Sequence, residues 1–484
     1  MPDTSWDRRR WLILAVIGLA QLMVVLDLTV MNIALPSAQR ALHFTTADRQ
    51  WVVTAYTLAF GSLLLPGGKL VDLFGRKVTF LAGLIGFAGV SVVGGASVDF
   101  GMLVAARAAQ GAFAALLVPS ALSLLTTTFS EPGERGRAFG IFGAITTAGS
   151  AAGLLLGGAL TEYLSWQWTL YINPIIAGVA LAGAAFLPAG QPSRARPRLD
   201  IPSVLLVAGG VFCLVYGFSN AATQPWDTPS TYGFIAGGVA LMAAFVAWQG
   251  RAAHPLLPPR VVLDRNRTGA YAAMFMAGAG MFGTFLFLTY FMQQTLGYSP
   301  LVTGIAFLPF SIGSAAAANL STIVLMPRSG PRPLVALGLL VASGATVWLT
   351  RLGPHTGYAE GVLGPLGVAG IGLGMVISPS ISTGTFDVAP QDAGVASATV
   401  NVAQQLGASI GTSLVNTIFA GAVASYLATH PASAPPTESA LAHGYDTAFW
   451  WIAGIFAVGA LIAGTLLPRG PLARRTLGDQ VHSR

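Results

Sequence analysis

Leu26-Asp27-Leu28-Thr29-Val30-Met31-Asn32-Ile33-Ala34-Leu35-Pro36 is the stretch on which the reading of this chain turns. It closes an apolar run from Trp11 to Leu35. At about 1.5 Å per helical residue, that run is long enough to cross a hydrocarbon layer of ~30 Å. Asp27 is the only charge within it. An acid at that depth costs at least ~2.5 kcal/mol, so it is expected to face a cavity or a partner. The functional expectation is a proton or cation site. The structural alternative is an Asp paired only to hold helices together.

Outward from Asp27, the composition agrees. The 484 residues are 54% hydrophobic and only 9% charged, against roughly 25% charged in a soluble domain. Hydropathy predicts fourteen spans, near 11–35, 50–67, 78–97, 101–128, 137–161, 168–188, 202–219, 231–249, 268–293, 302–325, 334–350, 361–384, 395–427 and 447–467. The expected fold class is an all-α integral membrane protein. Arg8-Arg9-Arg10 before the first run mimics a signal peptide, but the run is too long and lacks a small-residue cleavage site, so a retained helix is expected. Of 25 Lys and Arg, only Arg40, Arg49 and Arg351 fall outside and Arg107 within the membrane if both termini are cytoplasmic. That distribution follows the positive-inside rule and fits an even number of spans in a cytoplasmic membrane. The net charge of +7 forms no single patch, which argues against nucleic acid as a partner. The single Cys213 excludes an internal disulfide, and the six His show no metal-ligand spacing. Gly67-Gly68-Lys69 is not a phosphate-binding loop, so no enzyme, cofactor or metal is expected.

The chain repeats itself. Leu42-His43-Phe44-Thr45 before the second span resembles Leu296-Gly297-Tyr298-Ser299 before the tenth. Gly136, Ala138, Gly149 and Gly153 match Gly394, Ala396, Gly407 and Gly411 at nearly the same offset, which equals eight spans. Internal repeats mark transporter folds. The expected organisation is a six-helix half over 1–190, a linker with two inserted helices over 191–267, and a second six-helix half with a tail over 268–484. Gln191 to Asp200, with Arg194, Arg196 and Arg198, is the expected linker between the first half and the insert.

Gly68-Lys69-Leu70-Val71-Asp72-Leu73-Phe74-Gly75-Arg76-Lys77 joins spans two and three. Two glycines permit a tight reversal, Asp72 can cap a helix, and Arg76 and Lys77 hold the loop in the cytoplasm. This loop resembles the signature of the major facilitator superfamily. The Leu26–Pro36 stretch resembles the first-helix motif of its fourteen-helix drug:proton antiporters, and Arg107-Ala108-Ala109-Gln110-Gly111 also matches the superfamily pattern. The resemblance implies a major facilitator fold of 14 transmembrane helices, two six-helix halves plus two inserted central helices. It implies a monomeric proton-coupled exporter of drugs or antibiotics, with Gly68, Asp72, Gly75, Arg76 and Lys77 as the gating loop. The alternatives are a dedicated exporter of one metabolite or self-made antibiotic, or a nutrient importer. The importer stays open because Gly153-Leu154 stands where those antiporters usually carry Gly-Pro.

Arg107 cannot usefully deprotonate, so it must find acceptors, and Gln110 lies on its helix face. A fixed cation near Asp27 would favour the carboxylate, while desolvation would favour the neutral acid. Asp27 and Arg107 are therefore the expected proton-coupling residues. Gln21, Asn32, Tyr56, Gln110, Tyr290, Gln293, Gln294, Asn401, Gln404 and Gln405 are the polar or aromatic candidates for lining a substrate cavity. With Asp27 the only deep acid, one formal countercharge is expected, favouring monocationic or neutral amphipathic substrates. Protons and membrane lipid are the other expected partners.

Overall fold

A computed structural model describes residues 4–45, 48–129, 132–187, 200–221, 224, 226–252, 255–353, 355–388, 393–430 and 438–470. Among them the regular structure is entirely helical, as it must be where no water satisfies backbone amides. The first six long helices are α1 (Thr4–Leu42), α2 (Gln50–Phe74), α3 (Arg76–Gly95), α4 (Phe100–Thr128), α5 (Pro132–Tyr163) and α6 (Trp168–Phe186). Next come α7 (Ile201–Asn220) and α8 (Pro229–Gln249). The last six are α9 (Arg265–Tyr290), α10 (Pro300–Ser329), α11 (Pro331–Leu349), α12 (Tyr358–Gly384), α13 (Ala393–Thr429) and α14 (Glu438–Leu466). Thirteen of these are long and apolar enough to cross a membrane. The remaining one, α5, has 32 residues and packs along α1.

The helices begin and end where local chemistry allows. Asp99 caps α4 by accepting from the Met102 amide at 2.8 Å, and Asp264 caps α9 through the amides of Asn266 and Arg267. Gly75 (φ +88°) ends α2 and Gly330 (φ +76°) ends α10, in a left-handed conformation that favours glycine. Each donates its N–H four residues back, to Val71 and Met326. These two turns are the same device in the two repeats.

The repeat predicted from sequence is a packing repeat. In the first half α2 and α3 pack on α4, and α1 packs on α5; in the second, α10 and α11 pack on α12, and α9 packs on α13. Small residues set the closest approaches. A Cβ at Gly111 of α4 would lie 2.3 Å from the Tyr56 carbonyl of α2, and one at Gly370 of α12 would lie 2.2 Å from the Phe310 carbonyl of α10. Each half has its own apolar core, around Phe80, Phe87 and Leu124 in the first and Phe287, Leu339 and Phe449 in the second.

Helices α7 and α8 pack on each other, and α7 lies across α2 and α13, the helices that join the halves. Thr417 Oγ1 of α13 donates to the Phe218 carbonyl of α7 at 2.5 Å. The insert therefore touches both halves at their seam. The expected linker, with Arg194, Arg196 and Arg198, lies outside the described residues apart from Asp200.

The halves also meet where α5 crosses α10. A Cβ at Gly158 would lie 2.5 Å from the Leu301 Cα, and one at Gly304 would lie 2.3 Å from the Leu154 carbonyl. Leu301 N–H donates to Glu162 Oε2 at 3.0 Å across this crossing. Nearby, Gln293 Nε2 donates to the Ile33 carbonyl at 2.9 Å and Tyr290 Oη to Gln39 Oε1 at 2.7 Å, both from α9 or its following π-turn to α1. These contacts lie at the end of the bundle that carries the α1–α2 loop, so the halves are closed there.

Candidate functional site

Helix α1 passes through Asp27 without a break, and its polar neighbours satisfy themselves on the backbone. Thr29 Oγ1 donates to the Val25 and Leu26 carbonyls and Asn32 Nδ2 to the Leu28 carbonyl. Asp27 instead points away from the helix, into the middle of the first half. There α4 presents Arg107 and Gln110 from one face, as their spacing requires.

The result is a closed network. Arg107 Nη1 donates to Asp27 Oδ2 at 2.5 Å and to Gln110 Oε1 at 3.0 Å, and its Nε donates to the Val52 carbonyl of α2 at 3.1 Å. Asp27 Oδ1 accepts from Gln110 Nε2 at 3.1 Å and from Asn173 Nδ2 of α6 at 2.8 Å. Both amides also donate to Ser91 Oγ of α3, at 2.8 and 3.3 Å, while Ser91 donates to the Phe87 carbonyl. The Tyr56 ring lies 4.5 Å from the Arg107 guanidinium carbon, covering one face of the cation. Asp27 and Arg107 are each 1% exposed. Three N–H groups converge on the Asp27 oxygens, so the carboxyl is seated as an acceptor inside a ring of five helices.

The structure thus brings Asp27 and Arg107 together. The other cavity candidates lie at several places in the bundle. Gln110 and Tyr56 are fully buried inside the first half, as partners of the ion pair rather than lining of a space between halves. Tyr290 is also fully buried, because its ring is covered at the α1–α2 end by Arg49. Asn32 is buried and turned back on its own helix, and Gln405 is buried beneath Gly61 of α2. Gln293 holds the Ile33 carbonyl and Gln294 is exposed. Gln21, Asn401 and Gln404 are half-buried, with Asn401 donating to the Ser397 carbonyl. The one deep countercharge, Asp27, is paired with Arg107.

In the gating loop, Gly68 packs towards Pro119 and Gly75 makes the left-handed turn. Lys77 does more than hold the loop in water: its Nζ donates to the Leu187 carbonyl at 3.1 Å, closing the end of α6. Arg76 is exposed. The Asp72 side chain lies outside what the structure describes.

Three polar residues of consequence were not singled out from sequence. Asn173 had a usable signal, an amide at membrane depth before Pro174. Ser91 had none in a Gly- and Ala-rich span. Arg49, expected in the outer loop, is 1% exposed. Among the described residues the second half has no such network. Four residues before Gly370, where the first half has Arg107 before Gly111, stands Leu366 in the apolar core. Among the described residues no cluster of His, Cys, Asp and Glu could hold a metal.

The sequence profile of the Major Facilitator Superfamily matches residues 17–412. The chain is 46% identical to a puromycin resistance protein of Streptomyces alboniger, over 95% of this chain and 92% of that protein. It is 37% identical to a cephamycin export protein of Amycolatopsis lactamdurans, over 96% and 93%. Among solved structures, an auto-inhibited peptide transporter of the POT family superposes with a TM-score of 0.67 at 15% identity, covering 97% of this chain and 98% of that one.

Proposed function

The chain belongs to the Major Facilitator Superfamily and is a multi-pass membrane transporter rather than an enzyme, and from that premise we propose that it couples export of small amphipathic antibiotics to proton entry through Asp27. It would do so as a monomer in the cytoplasmic membrane, with both termini inside. Relatives named for antibiotic resistance and export favour efflux over import, which the Gly153-Leu154 departure had left open.

The observation that carries the coupling is the buried Asp27–Arg107 pair. Arg107 ties Asp27 of α1 to the Val52 carbonyl of α2, and both helices take part in the seam between halves. A proton on Asp27 removes the negative charge that holds Arg107, Gln110 and Asn173 in place. Arg107 must then find other acceptors, and its hold on α2 changes with it. Protonation in one facing state thereby biases the position of the halves, as a two-state coupling requires.

Purified protein in proteoliposomes tests this. An imposed pH gradient should drive puromycin or a cephalosporin across the membrane in wild type, and Asp27→Asn should abolish the gradient-driven part. Undiminished pH-driven transport by Asp27→Asn would end the proposal. A second reading has its own support: the relatives' names each carry one compound. A profile confined to one structural class of antibiotic would favour a dedicated exporter, and transport of many unrelated cations would favour a multidrug pump.

A further inference from the structure

Arg49 is the second buried arginine, and its surroundings are unlike those of Arg107. It stands at the start of α2, in the first half, and is 1% exposed. Its guanidinium carbon lies 3.9 Å from the centroid of Tyr290, 5.1 Å from Phe419 and 5.5 Å from Phe287. All three rings belong to the second half, two on α9 and one on α13. Tyr445 of α14 completes the aromatic cluster, its ring 5.2 Å from Phe419. Nε and Nη2 of Arg49 find no hydrogen-bond partner among the described residues. No carboxylate lies within ion-pair distance of it there either.

A buried guanidinium without an anion is costly unless something replaces water. Here ring faces do, since a desolvated cation is drawn to the negative face of an aromatic ring. Those faces are available only while the halves are together at the α1–α2 end. When that end opens, water solvates the cation instead. Arg49 is therefore satisfied in two states, caged or hydrated, and unsatisfied between them. We propose that Arg49 and the Tyr290–Phe419–Phe287 cage form a cation–π bolt that holds the two halves closed at the α1–α2 end. The neighbouring cross-half bonds, Tyr290 to Gln39 and Gln293 to Ile33, align the cage on the bolt. The π-turn Phe291–Thr295 places Gln293 for the second of these, a distortion that recurs at working sites in helices. No acid takes part in the bolt itself, and it meets the Asp27 site through α2, which carries both Arg49 and Val52. It supplies closure, and Asp27 supplies the drive.

Opening can be read without any cargo, so the test does not depend on the proposed coupling or substrate. Met31, 1% exposed, lies in an apolar cluster shared by both halves with Leu286, Tyr290 and Ala408. In a Cys213→Ser background, a Met31→Cys reporter should react slowly with a membrane-impermeant maleimide. Adding Arg49→Ala should speed labelling about thirtyfold, the change expected for losing a desolvated cation–π contact. Phe419→Leu removes a ring without touching the cation and should speed it in the same direction, whether or not Arg49→Ala folds. Tyr290→Phe keeps the ring and should speed labelling less than Phe419→Leu. Labelling as slow as in the reporter alone, in whichever of Arg49→Ala and Phe419→Leu is folded, overturns the bolt.

Discussion

At the scale of single residues, Asp27 and Arg107 form a unit whose members cannot be removed one at a time without leaving a debt. Asn at position 27 offers one acceptor and one NH2, so the NH2 must face either Arg107 or the Gln110 and Asn173 amides. Arg107 is then buried without a carboxylate, a situation that costs about 3–5 kcal/mol. Asp27→Asn is therefore expected to lower the melting temperature in detergent as well as to abolish proton-driven transport. Adding Arg107→Gln should restore much of the stability, since no charge remains buried, and should restore none of the transport. If the double variant melts no higher than Asp27→Asn, the pair is not the origin of the loss. Asn173→Ala, by contrast, removes two donated bonds and leaves the ion pair. It should cost about 1–3 kcal/mol in stability, read as a lower melting temperature in detergent.

At the scale of elements, the two close approaches at Gly111 and Gly370 separate architecture from coupling. Both would push a Cβ against a carbonyl of the neighbouring helix, 2.3 Å from Tyr56 and 2.2 Å from Phe310. Gly111→Ala should displace α4 from α2 and with it the Arg107 bond to Val52, reducing proton-driven transport by about tenfold or more. Gly370→Ala disturbs an apolar core and should act on stability alone. Comparing transport per folded molecule for the two variants decides the point; equal losses would mean that the contact matters only for packing. The same helices show what could be read in the sequence. Asp27 and Arg107 stood out because charge at membrane depth has few explanations, and the repeat stood out because glycines recur where helices touch. Gln110 was legible as a neighbour of Arg107 on one helix face, whereas Tyr56 was legible only as a polar residue at depth and not as a member of the network. Which way a side chain turns on α2 or α4 depends on helix rotation, which hydropathy does not fix. Arg49 was legible as a residue of the α1–α2 loop but not as a buried one: an arginine at a span end ordinarily reaches water, and only the aromatic rings of two distant helices, Tyr290 and Phe419, keep it dry.

At the scale of the molecule, the two halves share a framework and divide the labour. The first contains the buried ion pair; the second supplies the rings around Arg49 and an apolar core where the pair would be. Of the inserted helices, α7 lies over the α2–α13 seam, with α8 packed on it, and meets the seam mostly through apolar side chains such as Leu58, Val211 and Val215. Movement of the halves must therefore carry these two helices along or slide beneath them. The crossing of α5 and α10 is a more demanding place. Gly158→Val would set a branched side chain where even a Cβ lies 2.5 Å from Leu301. That variant should hold the halves apart at the α1–α2 end, seen as fast maleimide labelling of Met31→Cys, with transport lost. Slow labelling with transport intact would show that the crossing yields easily.

That crossing has a mechanical meaning. Gly158 and Gly304 put two helix backbones in contact with no side chain between them, each glycine resting on the main chain of the other half. Interlocking side chains would act as gear teeth and allow only discrete registers. Smooth backbone on smooth backbone is instead a plain bearing, on which one half can roll against the other while the clearance stays constant. The moving parts are thus located by a joint whose polar tie is the Leu301–Glu162 hydrogen bond at its rim, and the work of choosing a position falls to polar contacts such as this one rather than to interlocked side chains.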